Sequence, residues 1–88
     1  MPWKIVLTET VEKQMDALDP VVRRRVRAFL EQRLAGLPDP RMLGEPLTGQ
    51  LKGFWRYRIG DYRLVCRIID GELIVLVLEV GHRREVYR

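Results

Sequence analysis

The stretch "GFWRYRIGDYRLVCRI", residues 53–68, alternates arginine with aromatic and aliphatic residues on both sides of a Gly-Asp pair. If Gly60-Asp61 is a two-residue hairpin turn, Ile59 faces Tyr62, Arg58 faces Arg63 and Arg56 faces Val65. The alternation then sorts by face. Trp55, Tyr57, Ile59, Leu64, Cys66 and Ile68 share a side that can be buried, while Arg56, Arg58, Arg63 and Arg67 share the other. Like charges directly across a hairpin destabilise it, on the order of 0.2–1 kcal/mol per pair, so Arg58 facing Arg63 weakens the free chain. An anion would relieve that cost. Guanidinium groups bind phosphate oxygens through paired, charge-assisted hydrogen bonds and stay charged at ordinary pH, so a phosphodiester suits the arginine face. The competing explanation is an edge hairpin that exposed arginines protect from aggregation. A second chemical group follows at the end of the sequence, where "GHRREVYR" brings His82, Arg83, Arg84 and Tyr87 close to one another in sequence.

The elements that must position these groups are legible in order. Trp3 to Leu7 is a short β-type run. Thr8 can cap a helix with apolar Val11, Met15 and Leu18 at i, i+4 and i+7. Asp19-Pro20 is an N-cap followed by proline at the first helical position. Val22, Val26, Phe29, Leu30, Leu34 and Leu37 continue at helical spacing until Gly36 and Pro38 stop the pattern. Arg23, Arg24, Arg25 and Arg27 fall on its outer side and are expected to form a solvated face, with RNA contact as the alternative. "PDPRMLGEPLTGQ", residues 38–50, is rich in proline and glycine and is expected as a surface loop. After the hairpin, Asp70-Gly71 marks a turn, and "ELIVLVLEV" is apolar on both faces, as a central strand covered on both sides would be. These features predict an α+β fold: two N-terminal helices packed on an antiparallel sheet, in the order β-α-α-β-β-β.

Composition limits what such a fold can be. Eighty-eight residues, 47% hydrophobic and 32% charged, fit one globular domain spanning 1–88. Sixteen Lys and Arg against twelve Asp and Glu give a net charge of +4, which favours an anionic partner. The single cysteine, Cys66, excludes an internal disulfide and is compatible with a reducing compartment. Neither a signal-peptide pattern nor a membrane-length apolar run is present in the sequence, so a cytoplasmic protein without a membrane partner is expected.

With "LKGFWRYRIGDYRLVCRI" followed by "VGHRREVY", and with this element order along essentially the whole chain, the sequence resembles the RelE-like toxins of bacterial type II toxin–antitoxin systems, in the RelE/ParE superfamily. The resemblance implies a RelE/ParE-like fold and a partner antitoxin encoded by the neighbouring gene, held in a toxin–antitoxin hetero-oligomer. RelE-type members are messenger-RNA endoribonucleases acting in the ribosomal A site. ParE-type members share the fold and act against DNA gyrase, without catalysis of their own. The basic residues of the sheet, with an arginine and a tyrosine near the C-terminus, favour the ribonuclease branch; by resemblance they fall on Arg56, Arg58, Arg63, Arg83 and Tyr87. Lys52 and Arg67 extend the basic set for RNA binding alongside Arg56, Arg58 and Arg63.

Cleaving RNA without a metal or other cofactor requires a base for the 2′-hydroxyl, charge to stabilise the phosphorane and a proton for the departing 5′-oxygen. Arg56, Arg58 and Arg63 can supply charge. By resemblance Tyr87 is the general base and Arg83 assists the leaving oxygen. A phenol of pKa near 10 needs neighbouring cations to favour its anion, and an arginine above 12 is a poor proton donor, so Arg83 is assigned first to charge stabilisation. Where many members carry lysine in the first sheet strand, Arg56 and Arg58 exclude a neutral-lysine base at those positions. His82 is expected to be structural, Trp55 and Tyr57 to belong to the core, Cys66 to be an inert core thiol, and Glu85 to pair with a nearby arginine.

Overall fold

The computed structural model describes residues 2–82. Lys4–Leu7 form β1, and the Thr8 hydroxyl ends it by accepting the Val11 N–H at 3.2 Å, which satisfies a first-turn donor of α1, Glu9–Ala17. Val11 and Met15 of α1 are buried. Asp19 then accepts the Val21 N–H at 2.9 Å, and Pro20 opens α2, Pro20–Ala28, as expected. The single helix foreseen from Pro20 to Leu37 runs on past Ala28 as a π-helical turn, Phe29–Leu34, closed by Ala35 N–H to Leu30 C=O at 3.0 Å.

One arginine of the outer helical face is not a solvated charge. Arg23 donates from Nε to the Met15 carbonyl at 3.0 Å and from Nη2 to the carbonyls of Asp16 and Leu18 at 3.2 and 3.0 Å. These acceptors lie at the end of α1 and beyond it, where helical partners run out, so Arg23 fixes the corner between the helices.

The sheet has five strands in the order β1-β5-β4-β3-β2, with β2 Glu45–Pro46, β3 Trp55–Ile59, β4 Tyr62–Ile69 and β5 Ile74–His82. Strands β2 to β5 pair antiparallel, as expected. β1 instead joins β5 in parallel, from Lys4 opposite Ile74 to Leu7 opposite Val77, so the sheet is mixed. The two helices carry the chain away from β1 and back, and hydrophobic alternation identifies a strand without specifying the edge it joins. β5 is central between β1 and β4, but it is not covered on both faces as its sequence suggested: Val75, Val77 and Val80 are buried on the helix side, whereas Leu76, paired with exposed Arg67 on the other face, is partly exposed. Its pairing to β4 jumps from Val65–Glu79 to Cys66–Val77, leaving Leu78 as the extra residue of a bulge. After this bulge Val80 and His82 share the helix side with Val77. Where β1 has ended, the Gln14 side-chain oxygen accepts the Val80 N–H at 2.9 Å.

The helices cover one face of the sheet, and the core lies between them: Trp3, Val11, Met15, Val26, Leu30 and Leu34 pack with Tyr57, Leu64, Cys66, Val75, Val77 and Val80. The loop foreseen over residues 38–50 contains more structure than its composition suggests. Asp39 caps a 3-10 turn, Pro40–Leu43, and the short strand β2 follows. The segment is pinned from beneath: Trp3 Nε1 donates to the Pro38 carbonyl at 3.1 Å, and the Tyr57 hydroxyl donates to the Pro40 carbonyl at 2.8 Å. Gly44 lies so close to the rings of Tyr57 and Trp55 that a Cβ there would stand 3.0–3.2 Å from their atoms. Only glycine lets the chain pass at that distance, and it delivers Glu45 to the edge of β3.

Candidate nucleic-acid interface

The hairpin has the register read from the sequence: Ile59 faces Tyr62, Arg58 faces Arg63 and Arg56 faces Val65. Gly60 has φ of +59°, the left-handed conformation that a tight two-residue turn demands. On the face away from the helices, one row runs Glu45, Arg56, Val65, Glu79 across four strands, and the next runs Arg58, Arg63, Gly81. Glu45 is the residue that sequence reasoning missed. It sits opposite Arg56, whose Nη2 donates to its Oε2 at 2.8 Å, and its Oε1 is 3.7 Å from Arg58 Nε. The hydrogen bond from Arg56 holds the Glu45 carboxyl below its ordinary value against some desolvation, helped by the positive charges of Arg56, Arg58 and Arg63. A two-residue strand inside a proline- and glycine-rich segment leaves no alternation to read. The Gly44-Glu45 pair before the hairpin was its only trace.

The two guanidinium groups facing each other across the hairpin are drawn apart. Arg63 is 6% exposed, and its Nη1 donates to the carbonyls of Gly60 and Tyr62, both at 3.0 Å. It thus braces the turn, whereas Arg58 extends 61% exposed toward Glu45. The repulsion inferred from the sequence is therefore partly met within the fold, by backbone acceptors on one side and a carboxylate on the other. Of the basic residues expected to meet RNA, Arg58 and Arg67 are exposed, Arg56 is half-buried against Glu45, and Arg63 is buried on the same face. Lys52 is exposed at the end of a separate 3-10 turn, Gly49–Leu51, before β3 begins. Arg83, Glu85 and Tyr87 lie outside the described residues.

The opposite face carries the aromatic residues, as expected. Tyr57 is fully buried, and burial pushes its phenol well above the ordinary value. Trp55 is half-buried beneath the guanidinium of Arg41, 5.7 Å from the ring centroid. Cys66 is buried too, which pushes its thiol up to about 12 and leaves it without thiolate at neutral pH. His82 stands on the helix side, with its ring edge-on to Tyr62 at 5.7 Å between centroids. At the other end of the hairpin, Arg41 binds Asp70 through two nitrogens, at 2.7 and 2.9 Å, and Asp39 at 3.2 Å. This network ties the 38–44 segment to the turn between β4 and β5.

Two helices against a five-stranded mixed sheet, with arginines on the uncovered face, define the class: a small α+β domain of the RelE/ParE architecture. A family model described as "ParE toxin of type II toxin-antitoxin system, parDE" matches residues 5–87. The chain is similar to Toxin RelG of Mycobacterium tuberculosis, 34% identical over 100% of this chain and 99% of the relative. Toxin RelE of the same organism is 31% identical over 99% of this chain and 88% of the relative. Among solved structures, the RelBE2 toxin–antitoxin complex of M. tuberculosis superposes with a TM-score of 0.85 at 32% identity, covering 97% of this chain and 95% of the matched one. The chain belongs to the ParE toxin family of type II toxin–antitoxin systems, and its relatives place it with the RelE-type toxins.

Proposed function

We propose that this toxin is a ribosome-dependent messenger-RNA endoribonuclease that cleaves by attack of a 2′-oxygen without a metal. The observation that carries the reading is the uncovered sheet face, where Arg56 and Arg58 stand in register beside Arg63, with the Glu45 carboxylate shared between Arg56 and Arg58. Such a face supplies fixed positive charge to a phosphate gaining negative charge in the transition state. Tyr87 takes the 2′-proton as that oxygen bonds to phosphorus. The bond from phosphorus to the 5′-oxygen breaks, and that oxygen leaves as an alkoxide that takes a proton from water. Arg83 stabilises the leaving group's charge. Arg56 and Arg58 hold the phosphate, and Lys52 and Arg67 contact the flanking backbone.

A growth-arresting enzyme must be held inactive, so the neighbouring gene is proposed to encode an antitoxin that binds this chain in a hetero-oligomer in the cytoplasm. Among the described residues no helix is long and apolar enough to cross a membrane. The products test the chemistry. The upstream fragment should end in a 2′,3′-cyclic phosphate or its opened 3′-phosphate, the downstream fragment should begin with a 5′-hydroxyl, and chelators should not slow the reaction. A 5′-phosphate on the downstream fragment would exclude 2′-oxygen attack. The match to a ParE toxin family model favours a second reading, inhibition of gyrase without catalysis. Induction separates them: translation stops first for the ribonuclease, DNA replication first for the gyrase inhibitor.

A further inference from the structure

A groove of about 370 Å3 runs along the open edge of β3 beneath the helical layer. The edge is open because β2 pairs only with Trp55 and Arg56. Arg25, Gln32 and Arg33 line the groove from α2 and its π-helical end, Arg58 lines it from β3, and Phe29 and Ile59 supply apolar wall. None of the lining residues is acidic. Three guanidinium groups, from residues 25, 33 and 58, therefore converge on one concavity from two distant parts of the chain. Arg25 reaches over the hairpin turn, so that a Cβ at Gly60 would lie 3.5 Å from its Nη2. Arg33 lies over the Phe29 ring, 5.8 Å from the centroid, and that ring rests against Tyr57 at 5.9 Å. Among the described residues Arg25 and Arg33 form no ion pair with a carboxylate. Asp61 shares with Arg25 the lining of a separate hollow at the turn.

We infer that this groove is a second phosphate-binding subsite, which takes a phosphodiester of single-stranded RNA next to the one held on the arginine face. The inference rests on the RNA reading above and deepens it. Arg58 belongs to both places, since it stands on the uncovered face opposite Arg63 and also lines the groove. A strand lying on that face and turning round the open edge of β3 meets Arg58 first, then Arg25 and Arg33. Guanidinium forks match phosphate oxygens, and the Arg33–Phe29 pair offers a flat surface on which a base can stack. Gln32 adds donors and an acceptor for a base edge. An acidic peptide would satisfy the charges but has no use for the stacking surface, so RNA is the better fit.

The test uses the full-length protein and fluorescent oligoribonucleotides carrying 2′-O-methyl groups, which bind without being cleaved. A short oligonucleotide covers the arginine face, and a longer one extends beyond it. The wild type should bind the longer one more tightly. In the double variant Arg25→Gln, Arg33→Gln that gain should fall roughly tenfold, the scale of a lost charged contact, while the short oligonucleotide binds as before. The salt dependence for the longer one should flatten by about 0.7 in slope for each phosphate released. Arg25→Lys, Arg33→Lys keeps the charge and should retain most of the slope, and an unchanged melting temperature shows that the folds are comparable. A length gain unaffected by the glutamine variant overturns the subsite. So does a variant that binds RNA normally and loses the antitoxin instead. If the length gain depends on Arg25 and Arg33 but unmodified RNA on programmed ribosomes is not cleaved, the subsite stands and the nuclease reading fails.

Discussion

Two arginine clusters on this molecule look alike in composition and differ in balance. Arg41 meets two carboxylates, binding Asp70 through two nitrogens and Asp39 through one, with its guanidinium over the Trp55 ring. Arg56 and Arg58 share the carboxylate of Glu45, well placed for the first at 2.8 Å and poorly for the second at 3.7 Å. The first cluster joins a loop to a turn, and the acidic charge it recruits exceeds its own. The second lines one face of a strand. Charge that a fold balances internally contributes to positioning, whereas charge that it leaves exposed beside a shared partner is available for a ligand. On this comparison the Arg41 cluster is assigned to stability and the hairpin cluster to the proposed RNA contact.

The largest expected effect lies beyond both clusters, at the group they are proposed to serve. Tyr87→Phe removes one hydroxyl, so it should slow single-turnover cleavage on programmed ribosomes about a hundredfold or more, the scale of general acid–base catalysis, and leave ribosome binding nearly intact. Cleavage at the wild-type rate would remove Tyr87 as the base and make His82 the next residue to test. Arg58→Ala comes next. It removes a phosphate contact, so RNA affinity should fall about tenfold and the salt dependence should flatten by roughly 0.7 in slope, with little change in melting temperature. Arg41→Ala should do the reverse, lowering the melting temperature by roughly 5 °C while RNA affinity and its salt slope stay put. If Arg41→Ala weakens RNA binding as much as Arg58→Ala does, the division between the clusters is wrong.

Much of this division was open to sequence reading, and the part that was not has a physical cause. Alternation about Gly60-Asp61 gave the register of the hairpin and the residues of both its faces, because a side-chain period of two leaves no freedom once the turn is placed. The caps at Thr8 and Asp19 were equally plain, since each is a short-range hydrogen bond between a side chain and the backbone just after it. What escaped was long-range. Glu45 reaches Arg56 through a segment held by Trp3 and Tyr57, and Arg41 reaches Asp70 across 29 positions of sequence. The parallel pairing of β1 with β5 belongs to the same kind. Arg23 and Arg25 occupy one outer helical stretch in the sequence, yet the fold uses the first to hold a corner and sets the second over a turn.

The smallest effect probes how Glu45 divides itself between the fold and the ligand. Its carboxyl is held below the ordinary value chiefly by the hydrogen bond from Arg56, so the native state binds the proton more weakly than the unfolded chain. The contribution to stability is therefore fully present above the unfolded value, near pH 4.3, and is lost as pH falls through the lower native value. Asp70, lowered mainly by its hydrogen bond with Arg41, has the same sign and is lost over the same acidic side. The two differ in what protonation releases. At Asp70 it loosens a loop, whereas at Glu45 it removes one acidic competitor for the Arg56 guanidinium, in favour of an RNA phosphate, which remains ionised at that pH. RNA affinity measured at fixed ionic strength should therefore rise modestly as pH drops below about 4, just where stability begins to decline. Glu45→Gln should bind RNA more tightly than the wild type at neutral pH and lose that acid-side rise, while Asp70→Asn should keep it. An equal rise in wild type and Glu45→Gln would show that Arg56 meets phosphate without first leaving Glu45.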